Sequence, residues 1–355
     1  MMPTSFEAKS LADLVRYNVF GSGNQMPTSL AARSLAVFIR YNAFLMLVVL
    51  VIVSSLLSSA FLTTENIFNL LRQLTPLTLV SMGMLVVILT GGIDLSVGSI
   101  TAVGAMVVAM LLPVVPSLGG AGLLIGVIAA MVIGAVLGAV TGYLVAVFRM
   151  APFVASLAMM TIARGIAFMM SNGQPVRFPR GVAAADLLRD FGSLALPALG
   201  IPYPVILALV CVVLFAVVMT RTKFGRLIIA TGSNETAVRL AGIPVGRYKF
   251  LVYVIAGCLS ALGGVVATSR TAVGTASTGV GLELDAIAAC VIGGALLSGG
   301  KGSVVHTVIG VLVLGLIGNI MNLLSVPPYP QQLIKGGIII FAVLLQNVAR
   351  ENQST

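Results

Sequence analysis

Residues 221–249 read R-T-K-F-G-R-L-I-I-A-T-G-S-N-E-T-A-V-R-L-A-G-I-P-V-G-R-Y-K, and the segments on either side of them are apolar enough to lie in lipid. The stretch carries six cationic side chains: Arg221, Lys223, Arg226, Arg239, Arg247 and Lys249. Positive charge beside membrane spans marks the cytoplasmic side. We therefore predict that residues 221–249 face the cytoplasm, and every other loop can be assigned by counting outward from them.

The composition is that of a polytopic membrane protein. Of 355 residues, 59% are hydrophobic and only 8% are charged, and the mean hydropathy is +1.12, whereas a soluble domain carries roughly 25% charged residues. The net charge of +10 would suggest nucleic acid in a soluble protein, but here it follows from the bias toward positive cytoplasmic loops. The sequence therefore predicts an all-α membrane protein without a nucleic-acid partner.

About ten apolar segments follow one another, and most are close to the roughly 20 residues that a helix needs to cross a bilayer. They cover residues 43–62, 74–90, 96–115, 121–148, 152–170, 203–220, 250–269, 284–298, 304–324 and 332–348, the eighth being short. Alternation from a cytoplasmic N-terminus places residues 221–249 and most of the 20 Lys and Arg residues inside. Both termini are then cytoplasmic.

The predicted transmembrane domain, residues 43–348, lies between two polar tails. The N-terminal tail, residues 1–42, contains a near-duplicate: M-P-T-S-F-E-A-K-S-L-A-D-L-V-R-Y-N from Met2 recurs as M-P-T-S-L-A-A-R-S-L-A-V-F-I-R-Y-N from Met26. Only the second copy runs directly into an apolar segment, so we expect transport to survive removal of the first. The tail 349–355 is predicted to be cytoplasmic.

The longest outer loop, residues 171–202, would face the periplasm in a bacterium. Its prolines at 175, 179, 197 and 202 exclude a long regular helix, because proline lacks the backbone donor that a helix interior requires. The stretch Val182–Phe191 contains no proline and is compatible with one short helix.

The fourth apolar segment carries a small residue at every fourth place: Gly122, Gly126, Ala130, Gly134, Gly138 and Gly142. Residues four apart share one helix face, and small residues on that face let a second helix approach closely. We predict a buried, tightly packed span, with a pore lining as the less favoured alternative.

Within the cytoplasmic stretch, Asn234–Leu240 is predicted to form a short helix that ends at Gly242, before Pro244. It is too polar and too short to span a bilayer. Glu235 precedes Arg239 by four residues, so the two can pair on one helix face. Our hypothesis is that a cytoplasmic partner protein binds this helix; the alternative is an ordinary solvated loop.

Two glycine stretches interrupt the apolar segments at related positions. Residues 91–98 read G-G-I-D-L-S-V-G, residues 293–300 read G-G-A-L-L-S-G-G, and both fit G-G-x-x-L-S-x-G. Broken hydrophobic segments at corresponding places of two halves are typical of a transporter pathway. The match indicates an internal repeat; the alternative is coincidence, because glycine pairs are common in membrane chains.

Acidic residues accompany both glycine stretches. Asp94 is either a functional intramembrane carboxylate or, as we favour, a cap that accepts backbone N–H groups where a helix begins at Leu95. Glu283 and Asp285 open the eighth segment and favour the positive end of its dipole. Arg164, within the fifth segment, is expected to pair with one of these acids.

No catalytic or nucleotide-binding set is evident. Residues 294–303 superficially suggest a phosphate loop, but Gly302 follows Lys301 and Ala295 stands where the first glycine belongs. The single histidine, His306, has no ligand partner, and the three cysteines lie in apolar runs without metal or disulfide spacing. The chain is therefore predicted to be no enzyme, with no metal and no cofactor of its own.

The sequence resembles the permease subunit of ribose-type ABC importers, the monosaccharide permeases that work with a periplasmic sugar-binding protein. The matching stretches are spread over nearly the whole chain beyond residue 45: Val87–Ser99, Phe153–Gly165, Thr222–Arg226, Ala230–Ile243 and Gly281–Gly302. One departure is Ser233, where relatives often have a second glycine.

The resemblance implies a type II ABC-importer-like fold with discontinuous helices in the bacterial inner membrane. It implies a channel of two permease copies, an ATPase that binds ATP and Mg and docks around Ser233–Gly242, and a sugar-binding protein on the periplasmic face. The coupling residues would be Gly232, Asn234, Glu235, Ala237, Arg239, Leu240 and Gly242. The translocation pathway would include Gly91, Gly92, Asp94, Ser96, Glu283, Asp285, Gly293 and Gly294.

Two functions of other classes compete with the import of a ribose-like pentose, hexose or related polyol. The first is an ion-coupled secondary transporter of a small polar solute, with Asp94 carrying a proton; such a protein does not need the coupling-helix motif. The second, a membrane enzyme, is disfavoured by the missing acid–base set.

Overall fold

The computed structural model of the protein describes residues 42–340, with the exception of 115–117, 335 and 339. The duplicated N-terminal segment, the C-terminal tail and most of the predicted tenth span lie outside the described residues. A helix begins at Pro328, at the start of that tenth region.

The described chain is helical, apart from two strands of two residues each. In order, the helices are α1 (Asn42–Leu57), α2 (Thr64–Leu89), α3 (Val97–Leu111), α4 (Gly119–Ala146), α5 (Pro152–Met170), α6 (Ala183–Ser193), α7 (Tyr203–Arg221), α8 (Lys223–Ser233), α9 (Glu235–Leu240), α10 (Val245–Thr271), α11 (Leu282–Ile292) and α12 (Val304–Leu323). A 3-10 turn, Leu112–Val114, extends α3. Strands β1 (Val176–Arg177) and β2 (Val273–Gly274) pair antiparallel.

Within the described residues, seven helices are long and apolar enough to cross a membrane: α2, α3 with its 3-10 turn, α4, α5, α7, α10 and α12. Helix α1 is apolar but shorter, and α11 has only 11 residues. The predicted all-α polytopic fold is confirmed. The predicted short helix in the outer loop is confirmed as α6.

Several predicted boundaries were wrong for local reasons. Helix α2 begins at Thr64, ten residues before the predicted residue 74. The Thr63 side chain accepts the N–H of Asn66 and caps the helix at this earlier point. The first turns of the helix are polar, so the predicted apolar segment did not include them. Helix α11 ends at Ile292 rather than 298, since Gly294 has φ +82° and breaks the helix. Helix α10 begins at Val245, inside the stretch predicted as a cytoplasmic loop.

Helix α10 is the centre of the bundle and packs against α2, α3 and α4. The small-residue face of α4 is buried against it, as predicted. A Cβ on Gly134 would lie 2.5 Å from the carbonyl oxygen of Gly257, and a Cβ on Gly142 would lie 2.7 Å from that of Phe250. The face is therefore a close helix–helix contact and not a pore lining.

The chain between α10 and α11 runs back into the membrane domain along α3. Gly274 packs on Ala105 and Ala109, and Gly279 packs on Gly98 and Thr101. Residues 98 and 109 of a helix are roughly 16 Å apart at 1.5 Å per residue, and the 11 residues of α11 add a similar length. Together they match a hydrocarbon core of about 30 Å. This is a discontinuous span, with one non-helical half and one helical half.

Candidate functional site

The predicted cytoplasmic helix is present as α9. Asn234 is its N-cap rather than its first helical residue, and the Asn234 side chain accepts the N–H of Ala237 at 2.9 Å. The helix ends before Gly242, whose φ of +76° is readily adopted only by glycine. The helix therefore starts after Asn234 and stops before Gly242, as predicted.

Glu235 fixes α9 to α10. Its Oε1 accepts the predicted bond from Arg239 Nη2 at 2.6 Å, and its Oε2 accepts a second bond from Lys249 Nζ at 2.6 Å. The hydrogen bond from Lys249 is the main reason why the pKa of the Glu235 carboxyl lies below its ordinary value. Sequence reasoning missed Lys249, because it lies 14 residues away on another helix.

One face of α9 is buried and the rest is available to a partner. Val238 is the buried residue, whereas Ala237 and Leu240 are exposed, Leu240 to 83%. A cavity of about 510 Å³ opens beside the helix and is lined in part by Arg149, Arg239 and Lys249. The exposed part of α9 therefore combines one large apolar side chain with small and basic ones.

The helix that precedes α9 is packed, backbone to backbone, against both glycine stretches. Gly232, in the last turn of α8, lies directly over the Leu89 carbonyl oxygen and the Gly300 amide, leaving no room for a Cβ. The N–H of Gly300 donates to that Leu89 oxygen at 3.0 Å. The Ser233 hydroxyl lies 3.4 Å from the Gly300 carbonyl oxygen, which accepts its hydrogen bond.

The two glycine stretches also contact each other directly. A Cβ on Gly299 would lie 2.8 Å from the amide nitrogen of Gly91 and 3.0 Å from the Cα of Gly232. Gly91 has φ +78° and Gly299 has φ +90°, so both need glycine for conformation as well as space. We call Gly91, Gly232, Gly299 and Gly300 the glycine junction.

Asp94 is fully buried beside this junction. Its Oδ1 accepts the N–H of Ser96 at 2.9 Å and the Ser96 hydroxyl at 2.5 Å. Helix α3 begins at Val97 and not at the predicted Leu95. Asp94 therefore bonds Ser96, the residue before the helix, and is not itself the N-cap. Within the described residues, Asp94 Oδ2 has no hydrogen-bond partner.

Tyr253 of α10 closes over the same loop and was missed by sequence reasoning. A Cβ on Gly92 would lie 2.6 Å from the Tyr253 hydroxyl, which explains the glycine there. In the second stretch, Gly293 packs in the same way on the His306 carbonyl at the start of α12, and Gly294 supplies the turn after α11. No sequence signal connects Tyr253 or His306 with these glycines.

Glu283 and Asp285 lie in the first turn of α11, as predicted. Arg164 Nη1 donates to the carbonyl oxygens of Ala276 at 2.5 Å and of Thr278 at 3.0 Å, so it holds the non-helical half of the discontinuous span. Glu283 is the acid whose charge acts on Arg164. Its carboxylate lies over Gly98 of α3.

These features define a class of protein. A polytopic bundle with a discontinuous span, with α8 packed against its interrupted segments and α9 exposed beside α8, is typical of a membrane permease. Residues 66–343 match the model of the family described as "Branched-chain amino acid transport system / permease component", and the chain belongs to this family.

The most informative relatives are sugar permeases. The chain is 41% identical to the ribose import permease protein RbsC of Escherichia coli K12 over 305 residues, which are 86% of this chain and 92% of that protein. It is 43% identical to RbsC of Bacillus subtilis over 302 residues, or 85% and 91% of the two chains. It is 36% identical to the L-arabinose permease AraH of Azospirillum brasilense over 82% and 83% of the two chains. No solved structure matched the chain.

Proposed function

We propose that the protein is the membrane-spanning subunit of an ATP-driven importer that takes up a ribose-like pentose, a hexose or a related polyol. Relatives named as ribose and L-arabinose permeases, matched over more than four fifths of their lengths, support the transport class. The observation that carries the mechanism is the exposed helix α9, fixed by Glu235 and joined through α8 to the glycine junction.

In this proposal ATP is hydrolysed by a separate subunit. This chain binds no cofactor, and the partner ATPase holds ATP and Mg. The ATPase docks on α9, where Ala237 and Leu240 are exposed and Gly242 ends the helix. Basic side chains around the adjacent cavity complement an acidic groove on such a partner.

The assembly also includes partners on the other faces. We propose a second copy of this chain, which completes the channel, and a periplasmic sugar-binding protein, which delivers the substrate to the outer loop around α6. Most of the substrate selectivity then belongs to the binding protein. The multi-pass chain lies in the bacterial inner membrane, and we propose that both termini are cytoplasmic.

The glycine junction gives this proposal a physical route for coupling. A displacement of α9 moves α8, and the close contacts of Gly232 leave no compressible side chain between Gly232, the end of α2 and the loop after α11. Gly91, Gly92, Asp94 and Ser96 on one side, and Gly293 and Gly294 on the other, would then move as gating elements. Packed interfaces of this kind transmit small shifts because they are not continuously deformable.

Reconstitution tests the proposal. The permease is co-expressed with its candidate ATPase and binding protein, and uptake of D-ribose and L-arabinose into proteoliposomes is measured with and without ATP. We expect uptake that requires all three proteins and ATP and is insensitive to a protonophore. Uptake by the permease alone, abolished by the protonophore, would contradict the proposal in favour of ion-coupled transport.

A further inference from the structure

The non-helical half of the discontinuous span, residues 275–281, is exposed at a depth where lipid does not tolerate it. Ser277 and Val280 are exposed, Val280 to 71%, while Gly279 lies beside Gly98 and Thr101 in the first two turns of α3, with the length of α11 still to follow. Irregular backbone within the hydrocarbon region is tolerated only where protein buries it or where it lines a water-filled cavity. The exposed face of this segment therefore requires either water or protein, and cannot face lipid.

The segment is rich in hydroxyl groups that are already oriented. The Thr275 hydroxyl lies 3.0 Å from that of Ser277 and 3.1 Å from that of Thr278. Arg164 of α5 donates hydrogen bonds to the carbonyl oxygens of Ala276 and Thr278 and so fixes the backbone of this segment. Both of those bonds are donated by Nη1.

A carboxylate faces the same region. Glu283 lies in the first turn of α11, two residues beyond the end of the segment, and its charge acts on Arg164. Within the described part of the chain, Glu283 Oε2 has no hydrogen-bond partner. A carboxylate only accepts hydrogen bonds and a guanidinium only donates them. An intramembrane carboxylate and guanidinium beside oriented hydroxyls mark a functional site by default.

We infer that Arg164, Ser277, Thr278 and Glu283 form one wall of the translocation path and contact the sugar directly. This inference rests on the proposed function and adds a substrate site to it. Each hydroxyl of a neutral polyol both donates and accepts, so a pair of neighbouring hydroxyls can donate to Glu283 and accept from Arg164. Charged solutes would meet an unfavourable like charge from one member of the pair.

Thiol accessibility tests the wall independently of transport. In a variant whose three native cysteines are replaced by alanine, Ser277→Cys is treated with a charged, membrane-impermeant thiol reagent. Leu214→Cys, on the least buried span α7 and 59% exposed, is the control at a lipid-facing position. We expect Ser277→Cys to react and Leu214→Cys to stay unmodified. An unreactive Ser277→Cys would show that a second copy or another protein segment covers the face, and would overturn the inference.

Substrate kinetics test the contact with sugar. In the reconstituted complex, Glu283→Gln and Ser277→Ala should each raise the KM for whichever of D-ribose and L-arabinose the wild type takes up by about tenfold, the loss of one hydrogen bond to a charged or polar group. The ATPase should still co-purify at wild-type levels. Glu65→Gln, an exposed acid at the outer end of α2, should leave KM unchanged.

The outcomes separate the inference from the proposed function. Wild-type kinetics in both variants, with normal ATP-driven uptake, would overturn the sugar site and leave the importer function standing. A wild-type complex that takes up no sugar would count against the importer function, and thiol labelling would still decide whether residue 277 lines an aqueous path.

Discussion

The N–H of Gly300 donates a hydrogen bond to the carbonyl oxygen of Leu89 at 3.0 Å. This bond joins the loop after α11 to the last residue of α2, two places that are 211 residues apart in sequence. Gly232 of α8 lies on the same carbonyl. Three segments are therefore in contact mainly through their backbones, with the Ser233 hydroxyl as one added bond, and little side-chain volume between them can absorb a displacement.

The first prediction concerns Gly232. In Gly232→Ala the Cβ would overlap the Leu89 oxygen, so α8 must move away from the junction. We expect overpacking of about 1–3 kcal/mol, and a shift of about 1.4 kcal/mol between conformations changes their ratio about tenfold. ATP-driven uptake should therefore fall about tenfold while the ATPase remains bound.

The matched control is Gly246→Ala on the first turn of α10, where the nearest atom to a Cβ would be 3.5 Å away, an ordinary contact. This variant should transport normally. Equal uptake by both alanine variants would show that close packing at Gly232 has no part in coupling.

The second prediction concerns the α4–α10 contact. A Cβ on Gly138 would overlap the Tyr253 carbonyl oxygen, so Gly138→Leu must push α10 away. We expect a loss of about 3 kcal/mol or more, seen as a lower unfolding temperature in detergent. Val136→Leu, on the exposed side of the same helix at 56% exposure, should leave the unfolding temperature unchanged. A stable Gly138→Leu would mean that this helix pair is not closely packed in the membrane.

The third prediction separates the two roles of Asp94. Asn keeps an oxygen that can accept from Ser96, so Asp94→Asn should transport almost normally. Asp94→Ala leaves the buried Ser96 groups unpaired and should cost about 1–3 kcal/mol of stability, measured by thermal unfolding. A well-folded but inactive Asp94→Asn would indicate that the ionised carboxylate itself is needed for transport.

The fourth prediction concerns pH and the attachment of α9. The pKa of Glu235 is lowered in the folded protein, first by the bond from Lys249. The stabilisation is therefore complete above the ordinary Glu pKa of about 4.3 and is lost as the pH falls through the lower folded value. Hydrogen exchange in α9 should be constant from neutral pH to about pH 5 and should rise, relative to the intrinsic rate, below about pH 4.

Glu235→Gln should show the faster exchange of α9 already at neutral pH, with an unchanged global unfolding temperature because the pair is partly exposed. Exchange in α9 that is the same in wild type and Glu235→Gln would show that Lys249 and Arg239 do not anchor the helix.

The sequence predicts local features well where one helix contains the whole signal. The glycines of α4 recur on one face, so their burial follows from spacing alone. The start and stop of α9 depend on Asn234 and Gly242, which act on backbone groups within three residues of them. The seven apolar spans follow from lipid solubility, which is a property of composition.

Contacts between distant segments were not predictable in the same way. The glycine junction depends on how three segments meet in the fold. In the sequence, a glycine pair that packs on a carbonyl group cannot be distinguished from a pair that only forms a turn. The bond between Glu235 and Lys249 crosses two helices. The re-entrant path of residues 275–281 has no periodic signal, because its depth is set by packing of Gly274 and Gly279 on α3.

The last prediction tests the docking helix itself. Ala237 is exposed on α9, four residues before Ala241, and these small side chains would let the helix enter a groove on the ATPase. The bond from Arg239 to Glu235 is exposed and contributes only about 0.3–0.5 kcal/mol, so changes on this face should not unfold the permease. Ala237→Trp should therefore insert and fold normally but lose its ATPase.

The measurement is co-purification of the ATPase with Ala237→Trp, alongside sugar uptake in proteoliposomes and thermal unfolding of the permease. Thr220→Trp adds the same bulk at an exposed position on the cytoplasmic end of α7 and is the control that should keep both ATPase and uptake. Because α7 also packs against α8, this control asks whether the ATPase needs the exposed face of α9 itself rather than any surface beside α8. If Ala237→Trp retains its ATPase and transports as Thr220→Trp does, α9 is not the surface through which ATP hydrolysis drives this permease.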